Sequence, residues 1–171
     1  MRTRSNWTTR AETSSDIATI REINLAAFDT AEEADLVDTL RQSPAWIHGL
    51  SRVAVSDTGV LVGHALLTRA HIGAVPALCL APCAVLPQYQ KTGAGSAAIR
   101  GALDAARAMG EHVVTVLGHP GYYPRFGFTR ASIHGITMKL PVPDEALMVL
   151  SLDDEPLPSG VIQYAAAFGD I

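Results

Sequence analysis

The residues with chemistry to offer gather in two places. The first is Gln90-Lys91-Thr92-Gly93-Ala94-Gly95-Ser96, set between an apolar run and a strongly helical one. Two glycines let the backbone close around a ligand, and the free N–H groups of a first helical turn point at the same spot, where the helix dipole favours anions. Such a segment is either a diphosphate cradle or a plain tight turn with a helix cap. Lys91 and Arg100 add local positive charge to it. Gly93-x-Gly95-x-x-Ala98 also fits a dinucleotide fingerprint, but that motif starts directly at a strand end and has an acidic residue at the end of the next strand. Here Leu86 to Thr92 intervene and Gly118 follows Val113 to Leu117, so a Rossmann site is disfavoured. No Walker-type Gly-x-x-x-x-Gly-Lys-Ser/Thr occurs.

The second place is Gly118 to Phe128, which holds His119, Tyr122, Tyr123, Phe126 and Phe128. An imidazole titrates near neutrality and a buried phenol needs a hydrogen-bonding partner, so His119 and Tyr123 are candidate proton carriers. Glu33, with Glu32, is a further acid, although a helix N-terminus alone explains acidic residues there. Cys79, Ala81 and Cys83 alternate on one face of an extended run, where about 13 Å would part the two cysteines, too far for a bridge. Reduced thiols are expected. His48, His64, His71, His112, His119 and His134 have no zinc spacing, and no metal is expected.

Several elements must position these groups. Trp7 to Ala11 reads as a short strand, followed by Thr13, Ser14 and Ser15 as caps ahead of Asp16. Ile17, Ile20, Asn24, Ala27 and Phe28 keep one face of a first helix, and Glu32 to Arg41 form a second with Leu36, Val37 and Leu40 inward. Val53 and Val55, a turn at Asp57-Thr58-Gly59, and Val60 to Thr68 read as a hairpin. Ala77 to Val85 is apolar on both faces and belongs inside a sheet, where Pro82 demands a bulge or a departed neighbour. Ser96 to Met109 is the clearest helix, stopped by Gly110, and Val113 to Leu117 is a buried strand, giving a parallel crossover. Ile136 to Leu140 and Ala146 to Leu152 read as an antiparallel pair joined through Pro141-Val142-Pro143-Asp144, and Val161 to Phe168 as a last edge segment. The class is α/β with a mixed sheet, in a single domain spanning residues 1–171.

Composition narrows the function. The chain of 171 residues carries 13 Lys and Arg against 17 Asp and Glu, a net charge of −4. That balance lacks the basic field that nucleic-acid phosphates demand. With 48% apolar and only 18% charged residues, disorder is excluded. The longest apolar run, Ala74 to Leu86, is broken by Pro76 and Pro82 and is too short to span a bilayer. Met1 to Glu12 has no apolar stretch, so no secretory signal and a cytoplasmic location are expected.

The chain resembles the GNAT superfamily of acyl-CoA-dependent N-acetyltransferases. The likeness lies in Leu80-Ala81-Pro82-Cys83-Ala84-Val85-Leu86-Pro87-Gln88-Tyr89-Gln90, the Gln90-x-x-Gly93-x-Gly95 turn, and Tyr123-x-x-x-Gly127-Phe128. It is most similar to the YhbS-like branch, through Val116-Leu117-Gly118-His119-Pro120, Glu33-Ala34-Asp35-Leu36-Val37, Pro141 to Ala146, and a closing Tyr164-x-x-x-Phe168-Gly169. The resemblance implies a GNAT-like fold in which the strand before the glycine turn splays from the strand after the helix. Pro82 then has a reason.

By that resemblance, Cys83, Ala84 and Val85 would pair with the pantetheine amides of acetyl-CoA or another short acyl-CoA. Gln90, Lys91, Thr92, Gly93, Ala94, Gly95 and Ser96 would hold its pyrophosphate. Tyr123 would meet the departing sulfur, and an N–H near Val85 the oxyanion. Many relatives use a Glu on the central strands as base, but Ala74 to Val85 contains no acid, which leaves His119 and Glu33 as candidates. The implied partners are acyl-CoA and an amine acceptor, the latter framed by Ala27 to Glu33, His71 to Pro76 and Gly118 to Tyr123, in a monomer or homodimer. A non-catalytic acyl-CoA sensor is the alternative, and a nicotinamide oxidoreductase a third reading.

Overall fold

The computed structural model describes residues 7–171. Residues 1–6, the start of the stretch in which no secretory signal is expected, lie outside them. The strands are β1 (Thr8–Ala11), β2 (Trp46–Val55), β3 (Leu61–Ile72), β4 (Val75–Val85), β5 (Val113–Leu117), β6 (Thr129–Arg130), β7 (Ile136–Met138), β8 (Leu147–Ser151) and β9 (Gly160–Gln163). The helices are α1 (Ile17–Ala27), α2 (Glu32–Arg41) and α3 (Ala94–Ala108). One mixed sheet runs β1-β2-β3-β4-β5-β8-β6, with β9 also on β3 and β7 on β9. This is the expected single-sheet α/β fold with its splayed parallel pair.

Each helix forms where the apolar stripe predicts one. Ala98, Ile99, Ala102, Leu103 and Ala106 bury the inner face of α3 against Leu67, Leu78, Leu80, Val114 and Val116. Burying side chains of this size contributes about 1.5–3 kcal/mol each for the larger ones. Gly110 follows with φ +81°, the left-handed stop that glycine accepts without strain. The helix begins at Ala94, two residues before the expected Ser96, because Gly93 at φ +91° already turns the chain into it. On the other face of the sheet, α1 and α2 set Ile20, Val37 and Leu40 against Val53 and Leu66.

The 3-10 turn ahead of α1 is closed by the Thr13 N–H donating to Asp16 Oδ2 at 2.7 Å. Arg10 holds the same carboxylate at 2.6 Å and, with the Thr13 bonds, lowers its pKa to about 2. A second polar thread lies deep under α1. Asn24 Nδ2 donates to His64 Nδ1 at 3.3 Å, so the other ring nitrogen carries the proton and meets Ser51 Oγ at 2.8 Å. Ser51 donates in turn to Glu12, which also takes Arg41 at 3.0 Å. Burial, with the Arg41 charge nearby, pushes His64 down to about 3. The imidazole is a neutral core group.

Two expectations need correction. Ile136 to Leu140 does not pair with Ala146 to Leu152: β7 runs parallel to β9, and β8 lies between β5 and β6. The Pro141 to Pro143 segment carries the chain to another part of the sheet instead of folding it back as a hairpin. Val161 to Phe168 is extended only through Gln163, ahead of a 3-10 turn at Ala166–Phe168, and it is not an edge: β9 has β3 on one side and β7 on the other.

Candidate active site

The site is built where β4 leaves β5. The two strands pair in parallel only at Leu78↔Val114 and Cys79↔Thr115. Beyond that point β4 continues to Val85 held by β3 alone, through Ala65↔Cys83, His64↔Ala84 and Gly63↔Val85. The bulge demanded by Pro82 is found there, since Leu66 of β3 stands against both Ala81 and Pro82 of β4. Its extra residue reverses the alternation of side chains. Cys79 packs with Ala77, Ala81 and Val113 on one face, while Cys83 packs beside Leu80 and Val116 on the α3 face. The expected common face for the two cysteines is therefore corrected, and both thiols are free.

Main-chain donors follow from the same ladder. The Leu86 N–H donates to the Val62 carbonyl at 2.9 Å, across to β3. Because successive N–H groups of an extended chain point to opposite sides, that of Val85 is turned away from β3, into the wedge.

At the mouth of the wedge, Val85, Gln90, Lys91, Gly93, Gly95 and Ser96 line a cleft of about 440 Å³ together with Tyr89, Tyr122 and Arg125. Close packing explains the second glycine: a Cβ on Gly95 would sit 3.0 Å from Val85 Cγ2 and 3.7 Å from the Tyr122 hydroxyl. Gly93 needs its left-handed φ, and Lys91 takes φ +61°. Two of the expected cradle residues do not line the cleft. Ala94, the first residue of α3, is wholly buried, and the Thr92 carbonyl accepts the Trp7 indole N–H at 3.1 Å. Arg100 lies over the Phe126 ring at 4.8 Å. The cleft fits an anionic, elongated ligand through free helix N–H groups, Lys91 and Arg125.

Tyr122 and Arg125 carry more of this site than their sequence reading assigned. Ser96 Oγ and the Tyr122 hydroxyl are 2.9 Å apart, and Arg125 stacks on the Tyr122 ring at 4.3 Å while its Nε donates to the Tyr122 carbonyl at 2.8 Å. The signal available was the doubled tyrosine with an arginine three residues on, but nothing in the sequence told which phenol turns to the cleft. Tyr123 turns inward. Its ring packs on Tyr122, Phe126 and Phe128 at 5.1, 6.2 and 6.0 Å and touches Gly118, where a Cβ would lie 2.4 Å from Cε2. The Cys83 thiol faces its hydroxyl. Burial raises the Tyr123 pKa, the neighbouring thiol raises it further, and burial pushes Cys83 up to about 12. Both shifts favour the protonated forms of the phenol and the thiol.

Neither base candidate shares a side-chain hydrogen bond with Tyr123 among the described residues. His119 is exposed, and it shapes the site through its carbonyl, which accepts the N–H groups of Tyr122 at 3.1 Å and Tyr123 at 3.4 Å. Glu33, in the first turn of α2, keeps Oε2 out of solvent with no hydrogen-bond partner among the described residues. No hydrogen bond among the described residues joins it to Tyr123 or His119.

A profile of the acetyltransferase (GNAT) family matches residues 17–128. The chain belongs to this family. The GNAT chain is 39% identical over 151 residues to the uncharacterised N-acetyltransferase YjhQ of Escherichia coli, covering 84% of this chain and 83% of that one. Among solved structures it is similar to GNAT family N-acetyltransferase YhbS from Escherichia coli in complex with CoA, at TM-score 0.89 and 26% identity, over 98% and 94% of the two chains. It is also similar to a GNAT family acetyltransferase from Brucella melitensis in complex with acetyl-CoA, at TM-score 0.78 and 30% identity, over 96% and 99%. The expected enzyme class, an N-acetyltransferase, stands on this membership. Among the described residues no helix is long and apolar enough to cross a membrane, and no group of three or more His, Cys, Asp or Glu is placed to hold a metal ion.

Proposed function

We propose that this GNAT acetyltransferase moves an acetyl or other short acyl group from acyl-CoA to a primary amine of a small molecule or protein, by direct attack. The observation that carries the reading is the parting of β4 and β5 after Cys79 and Thr115, beside the N-terminus of α3. The wedge would take the pantetheine arm along Cys83, Ala84 and Val85, and the turn from Gln90 to Ser96 its diphosphate, helped by Arg125. That two similar GNAT structures contain CoA and acetyl-CoA supports the same reading.

The amine nitrogen attacks the thioester carbon, the C–S bond breaks, and the oxyanion formed between is met by the Val85 N–H. Removing one such donor elsewhere costs about 3 kcal/mol of transition-state stabilisation. The CoA thiolate takes its proton from Tyr123, and the nitrogen loses one to a base or to water. Of the two candidates for that base, Glu33 has the support of its unpartnered Oε2 and His119 that of its open position. The whole chain would act as one domain, in the cytoplasm, as a monomer or homodimer.

Thiol release from acetyl-CoA over a panel of amines tests this, wild type against Tyr123→Phe. A placed acid contributes about 10² to 10⁴ in rate, so the variant should lose turnover by that factor while still gaining thermal stability from acetyl-CoA. The lack of an acid between Ala74 and Val85 favours a second reading, an acyl-CoA sensor without catalysis. Binding with no turnover on any amine would establish that one.

A further inference from the structure

Among the described residues, one hydrogen bond ties the loop from Pro87 to Gly93 to a distant part of the chain. Lys91 and Gly93 hold left-handed φ of +61° and +91° in an exposed stretch of that loop. Its other bonds are short-range: Thr92 Oγ1 donates to the Tyr89 carbonyl, and the Tyr89 and Gln90 N–H groups reach only Leu86 and Pro87. The exception is Trp7, whose indole N–H donates to the Thr92 carbonyl at 3.1 Å across 85 positions of sequence. The same ring meets Tyr89 edge-on, with centroids 5.8 Å apart.

The strand that follows Trp7 delivers it there. Thr9 of β1 stands against Gly101 of α3, where a Cβ would lie 2.7 Å from Thr9 Oγ1, so β1 lies this close to the helix only because residue 101 is glycine. The Trp7 ring then packs beside the same core as the inner face of α3. A carbonyl held from one side fixes more than itself. The peptide joining Thr92 to Gly93 is trans and planar, so its N–H points opposite to its C=O. With the carbonyl turned to Trp7, the Gly93 N–H is turned away from it, and Gly93 lines the cleft of about 440 Å³. That N–H meets no acceptor among the described residues.

We propose that Trp7 is a positioning residue for the cosubstrate: its indole N–H holds the peptide joining Thr92 to Gly93 so that the Gly93 N–H is aimed at the diphosphate of acyl-CoA. The inference rests on the acyl-CoA reading given above. A donor aimed in advance takes a phosphate oxygen without the loop having to be ordered at that moment. A hydrogen bond to the carbonyl also polarises the peptide and strengthens its N–H as a donor. Both effects act on the diphosphate alone. The pantetheine arm would run along Cys83 to Val85 and the transfer would take place at the thioester, so neither should feel the loss of the indole N–H.

The test compares wild type with Trp7→Phe, which keeps an aromatic ring beside Tyr89 and removes the N–H. Steady-state thiol release is measured with acetyl-CoA and with S-acetylpantetheine, which has the thioester and no diphosphate. CoA binding is followed by calorimetry and by amide NMR spectra. The expected result is an acetyl-CoA KM and a CoA Kd raised roughly two- to tenfold, the worth of one hydrogen bond. The kcat and the amine KM should stay unchanged, and kcat/KM for S-acetylpantetheine should be the same in both proteins. CoA should shift the Gly93 amide proton downfield in the wild type and much less in the variant. Replacing Trp7 with benzothienylalanine, the same shape without the N–H, gives the same pattern should Trp7→Phe fail to fold. An equal loss for both acyl donors overturns the proposal, as does a CoA Kd unmoved in both variants, or a Gly93 amide indifferent to CoA that does raise the melting temperature. No rise in the wild-type melting temperature with CoA would instead overturn the acyl-CoA reading beneath it.

Discussion

Placing a methyl group on Gly118 tests how the phenol of Tyr123 is aimed. The Cβ of Gly118→Ala would lie 2.4 Å from Tyr123 Cε2, 3.1 Å from Cδ2 and 3.4 Å from Cζ. Carbon atoms settle at about 3.5–4.0 Å, so the ring must retreat by roughly 1 Å or more. It cannot do so freely, because Tyr122, Phe126 and Phe128 close its other sides. Overpacking of this kind costs about 1–3 kcal/mol of stability, and a misplacement of about 1 Å can cost roughly 10² in rate. Urea melts and thiol-release kinetics read the two quantities. The expected pattern is a fall of kcat by about 10² with the acetyl-CoA KM little changed, and hardly any further loss when Tyr123→Phe is added, since both act through one hydroxyl. Gly121→Ala is the control, as no atom lies within 4 Å of the Cβ it adds. Wild-type kcat in Gly118→Ala, or the same loss in Gly121→Ala, would refute the reasoning.

Gly93→Ala meets no nearer atom than Trp7 Nε1 at 4.0 Å but must hold φ +91°, so about 1–2 kcal/mol of backbone strain should appear as lower thermal stability and weaker CoA binding by calorimetry. His64 is held near a pKa of 3, while an unfolded histidine takes up its proton near 6.5. Between those values the unfolded chain binds more protons, so stability should fall as pH drops through that window, by up to about 1.4 kcal/mol per pH unit, and His64→Gln should flatten that slope in urea melts. Asp16 acts at lower pH: with its pKa lowered to about 2, it contributes stability above about pH 4 that is lost as the carboxyl protonates, so Asp16→Asn should reduce stability at pH 7 and narrow the difference from wild type near pH 2.

Local signals carried much of this fold. The α3 stripe, the Gly110 stop and the Gly59 turn are decided by neighbours in sequence, and each lies within a residue or two of its expected place. Pro82 pointed correctly to an irregularity in β4 because a missing N–H is a local fact with a consequence for any sheet. Pairings that depend on distant partners were not legible. Nothing within Ile136 to Leu152 says that β7 will choose β9 and β8 will choose β5, since both choices satisfy the same apolar pattern. The facing of side chains beyond a bulge is equally hidden, which is why Cys79 and Cys83 were expected on one face. At the site, the glycine turn was readable from backbone chemistry alone. The roles of Tyr122 and Arg125 depend on which way the rings of that turn face, which no local pattern fixes.

Residue-resolved amide hydrogen exchange with and without CoA tests the wedge most directly. The account predicts that CoA slows exchange at Val85 and at the amides from Gly93 to Ser96, with smaller change along the paired stretch of Leu78 and Cys79. Protection confined to other parts of the chain, with Val85 and the α3 N-terminus exchanging as before, would contradict it.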